Sequence, residues 1–202
     1  MLFNNERKVQ ERQFAAAGRL PPGQSLTLKW PVLHEGRIPA FDPVRWDFRV
    51  TGLVENPIRL TWAEFEALPK VRVRADFHCV TTWSKMDNDW HGVSFRTIAG
   101  LAQPKPAARH VMVHADAGYT TNVPLDDLMR DDALLATAHA PETLTPEHGF
   151  PLRLVVPHLY AWKSAKWVRG LDFLDRERPG FWEQVGYHMY GDPFREQRYH
   201  GQ

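Results

Sequence analysis

Cysteine is nearly absent from this chain. Cys79 is the only one in 202 residues, so no disulfide can form within the chain and the fold owes nothing to an oxidising compartment. No apolar run reaches the length of a membrane-spanning helix, which excludes that architecture. Neither sign of charge dominates: 25 Lys and Arg face 24 Asp and Glu, for a net charge of +1. That balance gives no electrostatic reason to bind nucleic acid or an anionic membrane. The opening residues, Met1 to Lys8, lack the apolar core of a secretory signal and any twin-arginine pair, so the cytoplasm is the expected compartment. Missing too are the glycine-rich phosphate loops G-x-x-x-x-G-K-[ST] and G-x-G-x-x-G, any C-x-x-C pair and any H-E-x-x-H helix. There is no internal repeat and no low-complexity linker.

What the chain does have is 16 prolines and eight tryptophans, a composition suited to extended segments and turns, not to a helical bundle. Residues 1–24 read as a polar arm with room for a short helix ending at Gly18. Residues 25–202 read as a single domain, large enough to bury a core. Leu26 to His34 alternate like an edge strand, and Val44, Trp46, Phe48 and Val50 alternate with polar residues. Thr61 and Glu64 have capping-box spacing for a short helix ended by Pro69. Val71, Val73 and Ala75 alternate with Arg72, Arg74 and Asp76 in an extended run. Ser94 caps a helix with apolar face Phe95, Ile98, Ala99 and Leu101. Strands are expected at 110–115, 134–138, 152–157 and 167–174, with a short helix after Pro124. Short strands mixed with short helices make the fold class α+β, with a β-rich core.

The extended run delivers Cys79 into the polar loop Val80-Thr81-Thr82-Trp83-Ser84-Lys85. A rigid strand ending in a free loop is a good mount for a reactive group. A lone cysteine is equally often a small buried hydrophobe. The hydroxyls and Lys85 around this one predict a lowered thiol pKa and hence a thiolate, able to ligate a metal or to attack. A zinc site or a papain-like nucleophile would need partners that the sequence does not place. One thiolate is a sparse ligand set for a protein-only metal site and suits a metal whose other ligands come with an organic cofactor.

A second constellation runs from His148 and Arg153 to Lys163-Ser164-Ala165-Lys166. Arginine offers a planar fork to phosphate, lysine a point charge, and serine and backbone N–H groups further donors. The same residues would also make an ordinary solvated surface.

Three pieces, in this order, resemble the molybdopterin domain of the sulfite oxidase family, which includes a bacterial methionine-sulfoxide-reductase branch. They are Arg74-Ala75-Asp76-Phe77-His78-Cys79-Val80, the run His148-Gly149-Phe150-Pro151-Leu152-Arg153-Leu154-Val155-Val156-Pro157, and Lys163-Ser164-Ala165-Lys166-Trp167. The resemblance covers roughly residues 25–190 and is narrowest to the small cytoplasmic sulfite oxidase-like oxidoreductases. It implies a β-rich mixed-sheet domain and a molybdenum–molybdopterin cofactor, with Cys79 as the thiolate ligand of molybdenum. It implies that His34, Asp116, His148, Arg153, Ser164, Ala165 and Lys166 hold the pterin and its phosphate. Tyr187 falls where the family keeps an active-site tyrosine, a position that an aromatic packed under a loop would also fill. The reaction implied is two-electron oxygen-atom transfer to or from a small molecule, with a separate electron-transfer partner.

Sulfite oxidases line their substrate pocket with arginines, one in the N-terminal segment and one just after the cysteine. Here Val32 and Thr82-Trp83-Ser84-Lys85 stand in those places. Each lost charge-assisted hydrogen bond is worth about 1.5–3 kcal/mol, so efficient sulfite oxidation is not expected. The tryptophan and serine after the cysteine resemble the reductase branch and point to sulfoxides or N-oxides. A non-catalytic module that binds or stores the cofactor is the alternative from another class.

Overall fold

The computed structural model describes residues 2–202, with side chains from residue 6 onward. Its elements follow in chain order: α1 (Leu2–Ala16), β1 (Ser25–Leu26), β2 (Asp47–Gly52), β3 (Ile58–Thr61), α2 (Trp62–Glu66), β4 (Lys70–His78), β5 (Trp83–Ser94), α3 (Phe95–Ala102), β6 (His110–Ala115), β7 (Thr120–Pro124), α4 (Leu125–Leu128), β8 (Leu134–His139), β9 (Glu142–Thr143), β10 (Arg153–Val155), β11 (Val168–Leu174) and α5 (Phe181–Gln184). One sheet has the order β1-β5-β8-β10, with β4 also on β5 and β9 on β8; the other runs β3-β2-β11-β6-β7. β1–β5 and β2–β11 are parallel and the other pairs antiparallel. The α+β class with mixed sheets is therefore the observed one.

Alternation explains how the layers form. In the first sheet Leu135 and Leu154 join the main core with Phe48, Val50, Ile98, Val111, Val113 and Phe173. Their neighbours Leu134, Ala136 and Val155 join a second cluster with Phe77, Trp90 and Leu144. Successive strand side chains point to opposite faces, so this sheet is buried on both. One face makes the inter-sheet core; the other is the apolar floor of the cavity described below. Close approach of β5 and β8 depends on Gly92, where a Cβ would lie 2.1 Å from the Leu135 carbonyl oxygen.

Local signals held where capping chemistry was explicit. The Thr61–Glu64 capping box is present in full at α2, and the Ser94 side chain accepts from the Arg96 N–H at α3. Leu101 is not on the buried face of α3, which is Phe95, Ile98, Ala99 and Ala102. Val44 is 90% exposed, and the strand opens only at Asp47. Of the expected strand 26–34, only Leu26 is paired. β5 offers that edge to β1 at Trp83 and Ser84 alone, and β8 occupies it from Trp90 on; the chain then leaves the sheet and crosses over the site. The N-terminal arm carries a 15-residue helix and is tied down, Arg19 pairing with Asp76 at 2.6 Å and Asp87 at 2.8 Å. Among the described residues no helix is long and apolar enough to cross a membrane.

The C-terminal segment is fastened by one buried ion pair. Glu183 Oε1 accepts from Lys163 Nζ (2.5 Å) and from Trp162 Nε1 (3.0 Å), and both charged side chains are fully buried. Lys163 also donates to the carbonyls of Asn122 (2.9 Å) and Met189 (2.6 Å). The neutral pair thus ties β7, the 161–163 turn and the C-terminal segment together. Removing one partner leaves an uncompensated charge in the interior, so Glu183→Gln is expected to cost about 3–5 kcal/mol, read as a lower urea midpoint at unchanged slope.

Candidate functional site

Cys79 follows directly on β4 and is 7% exposed. It faces a cavity of about 340 Å³. The walls come from the crossing loop (Trp30, Leu33, His34), the Cys79–Thr81 turn with Trp83, Tyr119 between β6 and β7, Arg153 at the head of β10, the 161–167 segment, and Trp182 and Tyr187 of the C-terminal segment. Five of the eight tryptophans, Trp30, Trp83, Trp162, Trp167 and Trp182, line it, so the tryptophan content is largely a property of this site.

Arg153 shares a sheet face with Val155 and is 2% exposed. Its guanidinium lies 5.4, 5.1 and 5.2 Å from the ring centres of Trp30, Phe77 and Trp90. It donates to the carbonyls of His148 (3.0 Å) and Ser164 (3.2 Å), while Nε has no partner and no carboxylate pairs with it among the described residues. Burial pulls its pKa down to about 9. Lys166, whose Nζ donates to the carbonyls of Leu33 (2.7 Å) and Glu147 (2.5 Å), is pulled down to about 7, first by burial and then by Arg153. His139, nearby on β8, is held down at about 4 by burial and by Lys85 and Arg153. Cations gathered out of water without an acidic partner are costly. An anion such as a phosphate or sulfate ester removes that cost.

The expected site residues divide in this geometry. Cys79, His34, Arg153, Ser164, Ala165, Lys166 and Tyr187 all line the cavity. His34 is exposed, its Nδ1 3.1 Å from the Gly36 carbonyl oxygen. Ser164 is buried, and its Oγ accepts from the Val156 N–H at 2.9 Å. His148 stands behind the wall: its ring stacks on Trp30 at 3.8 Å, and its Nδ1 lies 2.9 Å from Thr145 Oγ1. It braces a lining residue and is not one itself. Asp116 is off the cavity. It pairs with Arg169 at 3.2 Å, and Arg169 also holds Asp47 at 2.8 Å, so its carboxylate is committed to tying the end of β6 to β11. Lys163, grouped at the sequence level with the phosphate-suited cations, is taken by Glu183. Tyr187 is wedged between Trp162 (5.1 Å) and Trp182 (5.0 Å).

The thiol itself departs from expectation. Its pKa is raised, burial outweighing the hydrogen bonds from Thr81 and the charge of Lys166. The polar neighbours read along the chain turn elsewhere: Ser84 Oγ meets His78 Nδ1 at 2.8 Å, and Lys85 donates to Asn88 at 2.8 Å. Cys79 is therefore a shielded thiol that keeps its proton in the ligand-free protein. Among the described residues no three His, Cys, Asp or Glu side chains converge on a metal position. A single soft sulfur facing an anion-ready pocket fits a metal carried by a phosphorylated organic group.

Sulfate, a dianion throughout the working range, is expected to stabilise the ligand-free protein, and more strongly below pH of about 7, where Lys166 keeps its proton. In Arg153→Met that thermal shift should vanish. The variant without added anion should be no less stable than the parent, because an unpaired buried cation has gone. Thermal melts with and without sulfate at two pH values check both statements.

Comparison with known proteins supplies the family. Residues 35–182 match the oxidoreductase molybdopterin binding domain family. The chain is 51% identical over 189 residues to the uncharacterized oxidoreductase YuiH of Bacillus subtilis (strain 168), covering 93% of this chain and 96% of that one. It is 33% identical to the protein-methionine-sulfoxide reductase catalytic subunit MsrP of Gluconobacter oxydans (strain 621H), over 75% of this chain and 54% of that one. It is 30% identical to the sulfite oxidase of Arabidopsis thaliana, over 78% and 49%. The chain thus spans nearly all of the first relative and about half of the other two. Among solved structures, the sulfane dehydrogenase SoxCD of Paracoccus pantotrophus superposes with a TM-score of 0.63 at 23% identity, over 69% of this chain and 40% of that one, which establishes the fold. The chain belongs to the oxidoreductase molybdopterin binding domain family, whose cofactor is molybdenum–molybdopterin.

Proposed function

We propose that this oxidoreductase transfers an oxygen atom at a molybdenum held by the Cys79 thiolate, and that it works as a reductase of neutral sulfoxides or N-oxides. The observation that carries the reading is the placement of Cys79 and the unpaired, buried Arg153 on one aromatic-walled cavity. When bound, the cofactor would supply the two-electron oxo-transfer chemistry.

The chain's own residues supply the rest. Cys79 offers one soft sulfur. Arg153 and Lys166 would neutralise the phosphate end, where Ser164 and Ala165 form the wall. Trp83, Trp162, Trp182 and Tyr187 make an apolar enclosure that excludes water and receives alkyl groups. Among the described residues Arg153, set among aromatic rings, is the one arginine in the cavity lining, so a dianionic substrate lacks the bidentate partners it needs. Tyr187 has its pKa raised, mainly by burial, so its hydroxyl keeps its proton at neutral pH and acts as a donor, not a base. Reduction of a sulfoxide consumes two electrons and two protons and releases water. In this reading Tyr187, which lines the cavity, delivers one of those protons, and a separate carrier supplies the electrons. A cytoplasmic setting belongs to the same reading, supported by the absence of any second cysteine to pair with Cys79.

Protein from a molybdenum-replete host should carry one molybdenum per chain, by elemental analysis and pterin fluorescence. Steady-state assays with artificial electron carriers should show a sulfoxide turned over with kcat/KM at least ~10-fold above that for sulfite, the value of one missing charge-assisted hydrogen bond. Cys79→Ser should abolish turnover at unchanged melting temperature. Tyr187→Phe should lower kcat by about 10² with little change in KM. Full activity in Cys79→Ser, or preference for sulfite, would overturn the proposal.

A further inference from the structure

The turn that carries Cys79 is held from outside in a conformation that the chain would not choose by itself. The Thr82 N–H donates to the Cys79 carbonyl at 3.0 Å, closing a tight turn over Cys79-Val80-Thr81-Thr82. Thr82 sits at φ +72°, a left-handed conformation that β-branched residues rarely adopt and that surrounding structure must impose. Three contacts do so. Gln24 Nε2 donates to the Cys79 carbonyl at 3.1 Å, Arg198 Nη1 donates to the Val80 carbonyl at 2.7 Å, and the Cys79 N–H donates to the Trp83 carbonyl at 2.9 Å. Arg198 comes from the C-terminal segment and is itself seated 5.3 Å from the Tyr160 ring centre.

With the carbonyls pinned, the Val80 and Thr81 N–H groups and the Thr81 hydroxyl are left on the sulfur side. Thr81 Oγ1 lies 3.2 Å from Cys79 Sγ. In a free thiol either atom can donate. Once the sulfur has lost its proton to ligate a metal, only the hydroxyl can. Hydrogen bonds to a ligating sulfur withdraw electron density from it and favour the reduced metal, and this is one of the few handles a protein has on a cofactor's potential. Thr81 makes no other side-chain hydrogen bond among the described residues, whereas Ser84 is committed to His78 and Gln24.

We infer that Thr81 is a positioning and tuning residue, its hydroxyl donating to the Cys79 thiolate and thereby raising the reduction potential of the bound cofactor. This rests on the proposed ligation by Cys79. Arg198 and Gln24 act at one remove, by holding the turn in the shape that aims the hydroxyl.

Thr81→Val removes the hydroxyl at nearly constant shape, and Thr81→Ser keeps it. In cofactor-loaded protein, Thr81→Val should move the midpoint potential to more negative values in a spectroelectrochemical titration. Its thiolate-to-metal charge-transfer band should shift to lower energy, because the sulfur has become the better donor. Thr81→Ser should stay with the parent in both readouts, and melting temperatures should agree among all three. Loss of molybdenum from Thr81→Val alone, with Thr81→Ser loaded, would equally show that the hydroxyl is what the thiolate requires. An unmoved potential in loaded Thr81→Val, or equal changes in the two variants, would overturn the role of Thr81 and leave the cofactor assignment standing. A parent protein without molybdenum, or molybdenum retained without a thiolate-to-metal band, would overturn the ligation by Cys79 and this inference with it.

Discussion

The constraint on which the site depends is a positive charge placed where water cannot reach it. Arg153 is the first residue of β10, on the sheet face that also carries Val155, so its guanidinium is delivered beneath the rings of Trp30, Phe77 and Trp90. Two carbonyls satisfy part of it, and the aromatic faces supply some attraction. Neither cancels the charge. Lys166 deepens the imbalance. A fold that tolerates such a pocket has stability left over from its inter-sheet core, and recovers part of the cost when an anionic group binds. On the proposed reading, the same imbalance would draw the phosphate end of the cofactor toward the arginine and leave the thiol for the metal.

Around that charge the walls are assembled from segments far apart in sequence, and each is tied down by a polar contact behind it. His148 stacks under Trp30; Glu183 holds the Trp162 indole N–H; Tyr119 donates its hydroxyl to the Trp162 carbonyl at 2.6 Å. The Lys163–Glu183 pair makes the C-terminal segment part of the site, so that Trp182 and Tyr187 line the cavity. Aromatic rings present large rigid surfaces with few rotatable bonds, which suits a wall that must exclude water.

Where a residue reports on its own backbone, reading along the chain worked. The capping box at Thr61 and Glu64, the cap at Ser94 and the strand leading to Cys79 are all local chemistry. The reading failed where alternation had no partner strand, as at 26–34, because a pleated pattern needs a neighbour with a free edge. It failed again over the environment of Cys79. Thr82, Ser84 and Lys85 are close in sequence but face other directions once β5 is formed, and burial decides the thiol. Asp116 and Lys163 looked available and are spent in ion pairs with Arg169 and Glu183, partners 53 and 20 residues away. The lining tryptophans gave a signal in composition alone: eight in one short chain.

The sequence by itself determined the chemical types at the site, a single soft thiol, an arginine and a Ser-Ala-Lys turn in a fixed order, because ligand preference is a property of the side chain. It also determined the short elements that carry them, since caps and period-two patterns act within a few residues. Only the tertiary structure decided which cations remain unpaired, which aromatic rings become walls and whether the thiol is shielded. Those are properties of desolvation and of long-range pairing, and neither exists until the two sheets close and the C-terminal segment is drawn onto them.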